Sequence, residues 1–270
     1  MSEKEAIDNM VNGPNTLTSL VNDLRKLGLH EGMTVLVHAS LRSLGWVCGG
    51  APTVILALET VLTETGTFVM PTHSGDVSDP ATWENPPVPC SWWPIIKDEM
   101  PAFHQDLTPT REMGKIPETF RKQHAVVRSH HPQVSFAAWG KHKQEIIQDT
   151  KYEFALNAQS PLGRVYDRDG DVLLIGVGYG RNTSLHLAEY TAKYPTKTLI
   201  KNGFPVIEQA TKVWKEYDDI DYQTDDFEEI GRRYEHTNTV QTGRVGNAVC
   251  RLMKQRSLVD FAVHWMENNR

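Results

Sequence analysis

Cysteine is scarce in this chain of 270 residues: Cys48, Cys90 and Cys250 are widely spaced and form no CxxC pair. An odd, scattered set implies neither a disulfide framework nor a zinc cage, and reduced thiols fit the cytoplasm, where the protein is expected to reside. No apolar run approaches the roughly 18 residues that a membrane span requires, and the first residues, MSEKEAIDNM, are acidic and polar. Positive charge is not in excess either. With 28 Lys and Arg against 34 Asp and Glu the net charge is −6, which argues against nucleic-acid binding, because that rests on basic surfaces displacing counterions from phosphates. Several catalytic signatures are also missing. There is no HExxH, and His130 and His131 are merely adjacent, so no metal is expected. There is no GxSxG elbow for a hydrolase, although Ser40, Asp226 and His186 could still assemble a triad through the fold. GVGYGR begins like a dinucleotide fingerprint, but Arg181 stands where the third glycine belongs and no acid ends the following TKTLIK run, which excludes NAD. Cys48 could be a nucleophile, yet an isolated thiol is more often inert.

What is present is ordinary globular composition, 39% hydrophobic and 23% charged, enough for a single domain over residues 1–270. Leu17, Leu20, Val21, Leu24 and Leu27 recur at helical spacing and stop at Gly28, which suits a left-handed cap. The apolar run 34–37, the small-residue loop HASLRSLGWVCGGAP, a helix opened by Pro52 and closed by Gly66, and the strand 67–70 then read as a βαβ unit with parallel strands. From 76 to 110 the pattern vanishes, and seven of the fifteen prolines and three of the seven tryptophans fall there. So long an irregular excursion inside a domain suits a lid or binding wall over a substrate. Regular structure resumes with helix-like IPETFRKQ, a strand over 133–139 and a charged helix over 141–149. DVLLIGV at 171–177 predicts a buried strand, and GYGRNT turns it into a helix over 184–193. Two strands around an Asn202-Gly203 turn are expected next, and a last helix opened by Ser257 with Asp260. The sheet is therefore mixed.

The junction after 171–177 holds the most pointed chemistry. Asn182 or Thr183 can cap the helix, and His186 and Glu189 then share one face, a turn inside. A neutral imidazole can take a proton from an attacking amine near neutral pH, and a neighbouring carboxylate fixes its tautomer and stabilises the imidazolium. Such a pair is also common on plain helix surfaces; its place at the carboxyl end of a buried strand favours catalysis. The loop from His38 to Gly50 carries hydroxyls and Arg42 and leads into a helix whose first N–H groups can receive an anion. Arg128 and Ser129, before another strand, form a second anion candidate. Either could equally be an ordinary connection. Between Tyr217 and Glu229 lie seven acids with no Lys or Arg, leaving the rest of the chain at +1. A run of this kind is either a solvated loop or a pocket for a cation.

At VHASLRSLGWVCGG, RSHHPQVSFAAWG, SPLGRVYDRDGDVLLIGVGYGRNTSLHLAEY and DDFEEIG the sequence resembles the aminoglycoside 3-N-acetyltransferase family, with matching order and spacing across nearly the whole chain. The resemblance implies a three-layer α/β/α fold with a central mixed sheet, distinct from the small GNAT-type acetyltransferase fold, and a cofactor, acetyl-coenzyme A. It implies that His38, Ala39, Ser40, Leu41, Arg42, Ser43, Leu44, Val47, Thr72, Arg128 and Ser129 hold that cofactor. His186 would be the base and Glu189 its partner, an acid from Asp225 to Glu229 being the alternative partner. Asp76, Trp83, Asp225, Asp226 and Glu229 would face the cationic aminoglycoside, since a carboxylate-lined cleft both steers and holds ammonium groups. An acetyltransferase for a non-antibiotic amine, an inactive module that only binds a cation, and a homodimer are compatible with the same residues.

Overall fold

Three strands lying side by side in parallel determine where the chemistry can sit. The structure, a computed structural model, describes residues 3–10 and 13–270. Its elements run α1 (Glu3–Asp8), α2 (Leu17–Leu27), β1 (Thr34–Ala39), α3 (Ala51–Leu62), β2 (Thr67–Pro71), α4 (Trp93–Glu99), α5 (Lys115–Phe120), β3 (Val127–Arg128), β4 (Phe136–Gly140) and α6 (Lys143–Ile147). They continue as α7 (Pro161–Asp167), β5 (Asp171–Ile175), α8 (Ser184–Thr191), β6 (Leu199–Glu208), β7 (Thr211–Ile220), α9 (Phe227–Thr237), β8 (Gln241–Val245), β9 (Ala248–Lys254) and α10 (Gln255–Asn269). Seven strands form one sheet in the order β3-β4-β2-β1-β5-β9-β8, and β6 and β7 form a separate hairpin. β1 is parallel to both β2 and β5, with Val35 opposite Phe68 and His38 opposite Leu174, while the other pairs are antiparallel. Parallel neighbours end on the same edge, so the residues following β1, β2 and β5 emerge together.

The central strands are buried on both faces, which is why they read as continuous apolar runs rather than alternating ones. Val35, Val37, Phe68, Met70, Leu173 and Ile175 pack against Leu20 and Leu24 of α2, Val54 and Leu58 of α3 and Phe120 of α5. Leu36, Val69, Val172 and Leu174 face the other way, onto Leu185 of α8, Ile230 of α9 and Leu258 and Ala262 of α10. Two helical layers therefore enclose a mixed sheet, the expected three-layer α/β/α architecture. The helix expected from Leu17, α2, also ends as expected, at Gly28 with φ 109°.

The excursion over 76–110 is not wholly irregular, since it contains α4 and short 3-10 turns. Val77 from it packs with Phe204 and Val206 of β6 in a third, small apolar nucleus, flanked by Phe103 and Tyr217. Three local expectations are corrected. Asn202 and Gly203 lie within β6, opposite Tyr217 and Glu216, and the turn is made by Gln209 and Ala210, with φ 48° and 64°. Gly203 has a packing role there: a Cβ would stand 2.9 Å from the Trp214 ring. The last helix begins at Gln255 without a side-chain cap, and Asp260 instead accepts a 2.6 Å bond from the Tyr166 hydroxyl. The strand expected from 133 starts only at Phe136, because the N–H groups of Gln133 and Val134 turn to donate to Nδ1 of His131 at 3.1 and 3.0 Å.

Candidate active site

β5 is followed by Gly176 at φ 63°, a conformation L side chains avoid, and a Cβ there would lie 2.2 Å from that of Ser43. The tight exit brings the loop after β1 against the start of α8. Asn182 supplies the expected cap, its Oδ1 accepting from the N–H of Ser184 at 3.1 Å, whereas the Thr183 hydroxyl turns to Nε2 of His38 at 3.4 Å. One turn into α8, Nδ1 of His186 lies 2.6 Å from Oε2 of Glu189, whose side chain is fully buried. The other oxygen of Glu189 accepts 2.8 Å bonds from the N–H of Gln223 and from Nη1 of Arg270. Arg270 also reaches both oxygens of Asp226 at 2.6 and 2.7 Å, the Gln223 carbonyl at 2.6 Å and the Tyr194 hydroxyl at 3.2 Å. Burial opposes its charge, but the bonds to Asp226 and Glu189 outweigh burial and hold the guanidinium pKa above its usual value. Tyr222 and Phe227 flank the His186 ring at centroid distances of 4.7 and 5.1 Å. A carboxylate on Nδ1 keeps the proton there and leaves the Nε2 lone pair free to act as a base.

Two further imidazoles belong to the same edge. His38, at the end of β1, is 6% exposed; burial and then the charge of nearby His186 push its pKa down to about 3. His73, just past β2, is likewise lowered to about 3 by burial and by His186 and His38, and its Nε2 is buried without a partner among the described residues. Both rings are neutral at ordinary pH, and of the three only His186 is paired with a carboxylate. Sequence reasoning missed His73: it belongs to no motif and joins the others only through strand order.

A groove of about 760 Å³ opens over the ends of β1, β2 and β5, and of the three imidazoles His38 lines it. His38, Ala39, Ser40, Leu41, Arg42 and Val47 line it, together with Lys115 at the start of α5, Arg181 and Thr183. Of these, Lys115, Arg181 and Thr183 were not among the residues expected to hold a cofactor. Arg42, Lys115 and Arg181 set three cations in the lining against the carboxylates of Glu3 and Glu112, a positive balance suited to a phosphorylated nucleotide.

Five residues expected to hold a cofactor do not line the groove. Leu44 is fully buried in the core, and Ser43 is turned inward, its hydroxyl donating to the Gly176 carbonyl at 2.9 Å. Thr72 and Ser129 are fully buried: the Thr72 hydroxyl meets that of Ser135 at 3.1 Å, and the Ser129 hydroxyl accepts from the N–H of Phe136 at 2.9 Å. Arg128 has no donor left for a phosphate. Its Nε bonds Ser135, Nη1 bonds the carbonyls of Gln105 and Thr108, and Nη2 bonds the Thr72 carbonyl and the Ser74 hydroxyl. It is a clamp that ties the end of the excursion to β2, with its pKa lowered to about 10 by burial and by Arg121.

The expected carboxylate wall is also largely self-neutralised. Asp226 is held by Arg270, Glu229 by Arg232 and Arg233, and Asp218 by Lys201. Asp219 is buried among Tyr190, Tyr222 and Asn202, and Glu228 accepts from the N–H of Gly180 at 2.7 Å. Of the seven acids only Asp221 and Asp225 remain exposed with no side-chain partner among the described residues. In the excursion, Asp76 pairs with Arg111, and the Trp83 indole donates to Ser78 at 2.8 Å. The Ser40, Asp226, His186 triad is not assembled, because Asp226 is bound to Arg270 and His186 to Glu189. Cys48 is exposed and Cys250 buried, with burial raising the Cys250 thiol to about 11.

Residues 36–267 match the family model for aminoglycoside 3-N-acetyltransferase. The SPbeta prophage-derived aminoglycoside N(3')-acetyltransferase-like protein YokD of Bacillus subtilis (strain 168) is 49% identical over 257 residues, covering 95% of this chain and 94% of that one. Its crystal structure has a TM-score of 0.96 at 47% identity, with 98% of each chain covered. Aminoglycoside N(3)-acetyltransferase VII of Streptomyces paromomycinus is 34% identical over 271 residues, or 94% of this chain and 92% of that one. Two solved structures carry ligands. AAC-IIIb binary with CoASH matches at TM-score 0.85 and 26% identity, covering 95% of this chain and 97% of that one. AAC-VIa bound to sisomicin matches at 0.86 and 29%, covering 96% and 99%. None of the three structures departs from the mixed-sheet fold described above.

Proposed function

Because the chain belongs to the aminoglycoside 3-N-acetyltransferase family, we propose that it carries an acetyl group from acetyl-coenzyme A to the 3-amino group of an aminoglycoside, with His186 as the base. The observation that supports this most directly is the 2.6 Å bond between His186 and the buried Glu189 at the strand edge beside the cationic groove. The residues present fit the cofactor: Arg42, Lys115 and Arg181 offer charge to a nucleotide's phosphates, and the lining includes Thr183 and His38, the latter close enough to feel the charge of His186. Acetyl-coenzyme A supplies an acyl group already activated as a thioester.

The protein's own part is then proton management. Nε2 of His186 takes a proton from the acceptor nitrogen as that nitrogen forms its bond to the acyl carbon, directly or through one water. Glu189 stabilises the imidazolium through Nδ1–H, and the proton is returned as the leaving thiol is released. The reading needs no acyl-enzyme, because the acceptor nitrogen, once deprotonated by the imidazole, can attack the thioester directly. Tyr222, Phe227 and the buried Glu189 exclude water from one side of the ring.

The test is release of free thiol from acetyl-coenzyme A in the presence of a panel of aminoglycosides. His186→Ala should lower turnover by roughly 100-fold or more while leaving coenzyme binding intact. Full turnover in that variant removes the base assignment. A second reading, acetylation of a non-antibiotic amine, is favoured by one observation: five of the seven acids between 217 and 229 are already engaged within the protein. Coenzyme binding without thiol release on any aminoglycoside selects that reading.

A further inference from the structure

We propose that Arg270 is a positioning residue for this site: it fixes the orientation and charge of Glu189 and thereby sets how tightly the His186–Glu189 pair holds a proton. The inference rests on the function proposed above for His186, but its decisive measurement does not.

The geometry is complete on both sides of the carboxylate. Oε2 of Glu189 faces Nδ1 of His186 at 2.6 Å, and Oε1 is held by two donors, the Gln223 N–H and Arg270 Nη1, each at 2.8 Å. With Oε1 anchored, the carboxylate cannot rotate away from the imidazole. Arg270 is in turn immobilised, since all five of its N–H groups have acceptors and its side chain is 4% exposed. A fully buried carboxylate would otherwise favour its neutral form. The guanidinium beside it keeps the anion, and through the anion it keeps the Nδ1–H tautomer that leaves Nε2 free.

The charges around the pair are few and come from several elements. Glu189 is on the ring's own helix; Tyr222 follows β7, His38 ends β1 and His73 follows β2. Around Glu189 stand Arg270 after α10, Asp226 before α9, and Tyr194 and Lys197 after α8. Lys197 is a second cation, but its ammonium donates to the carbonyls of Tyr190 and Ala192 rather than to Glu189. Arg270 is the cation that touches the carboxylate.

Loss of that positive charge lets the His186–Glu189 pair take up a proton at higher pH, whichever member carries it. In Arg270→Met the acid limb of kcat against pH should move up by roughly one unit, so that kcat on that limb falls by up to about tenfold. KM for acetyl-coenzyme A should be unchanged, because neither Arg270 nor Glu189 lines the groove. Arg270→Lys, which keeps the charge, should restore the acid limb even where the second bond to Asp226 is lost. The measurement that needs no substrate is proton NMR of the His186 ring across pH. The downfield Nδ1–H signal should weaken and the ring titration should move upward in the Met variant, and both should return toward the parent in the Lys variant. If the Met variant does not fold, Arg270→Gln, a donor without the charge, carries the same comparison. Equal behaviour of the Lys and uncharged variants, or an unmoved titration accompanying lost activity, makes Arg270 a packing residue only and overturns the proposal. Failure of the parent protein to acetylate any aminoglycoside would instead count against the proposed function and leave the NMR comparison standing.

Discussion

Replacing Glu189 by Gln changes one atom and should disable the base. Oε1 of Glu189 accepts from two N–H donors, Gln223 and Arg270, both at 2.8 Å. An amide at this position must keep its oxygen toward those donors, because its NH₂ would face two hydrogens there. The NH₂ is then forced onto Nδ1 of His186, where the carboxylate now sits at 2.6 Å. Nδ1 must become the acceptor, so the proton moves to Nε2, the nitrogen that has to receive one from the substrate. A base held in the wrong tautomer loses roughly 100- to 10,000-fold in kcat, while coenzyme affinity and the fold should be unaffected. Thiol release from acetyl-coenzyme A at saturating acceptor gives kcat, and circular dichroism with coenzyme titration confirms that the protein is intact. Retention of kcat within about threefold of the parent would refute the reasoning, since it would mean that the proton on Nδ1 has no bearing on turnover.

Two stability predictions follow from groups outside the pair. His131 is 1% exposed, and burial, only partly offset by its bond to the Tyr152 carbonyl, lowers its pKa to about 4. Against an unfolded value near 6.5, the unfolded chain binds the proton first as pH falls. This ring should therefore remove about 2 kcal/mol of stability between pH 7 and pH 5, with little further loss below about pH 4. His131→Asn keeps an acceptor for the N–H groups of Gln133 and Val134, so urea titrations at the two pH values should show a smaller acid loss by that amount; an equal loss contradicts the assignment. Arg128→Met leaves several buried acceptors unpaired and should cost about 3 kcal/mol in urea unfolding, with coenzyme affinity changed less than threefold. A selective loss of coenzyme binding at full stability would return Arg128 to the cofactor site.

The parallel core was legible because β1, β2 and β5 are apolar on both faces, with Pro52 at the start of α3 and Gly28 at the end of α2, where helix ends want them. The pairing of His186 with Glu189 was legible for a similar local reason, three residues of helix. What escaped was everything decided by partners distant in sequence. Nothing local says that Arg270 reaches Asp226, so the acid looked free for a ligand. Arg128 and Ser129 looked like an anion loop because their true acceptors, such as the Thr108 carbonyl and the Phe136 N–H, come from segments folded onto them. Asn202-Gly203 has the best hairpin chemistry in its region, yet the register that seats Gly203 beneath Trp214 places the turn seven residues later. In each case tertiary packing outweighed a correct local preference.

The nucleus of Val77, Phe204 and Val206 stands apart from the two large cores. With only three buried apolar side chains it can yield as a unit at a free energy well below that of global unfolding. Backbone amides of β6 and β7 should therefore exchange with deuterium through a partial opening that leaves β1 and β5 protected. Because β7 leads directly to the Tyr222 ring against His186, such breathing should loosen one flank of the imidazole.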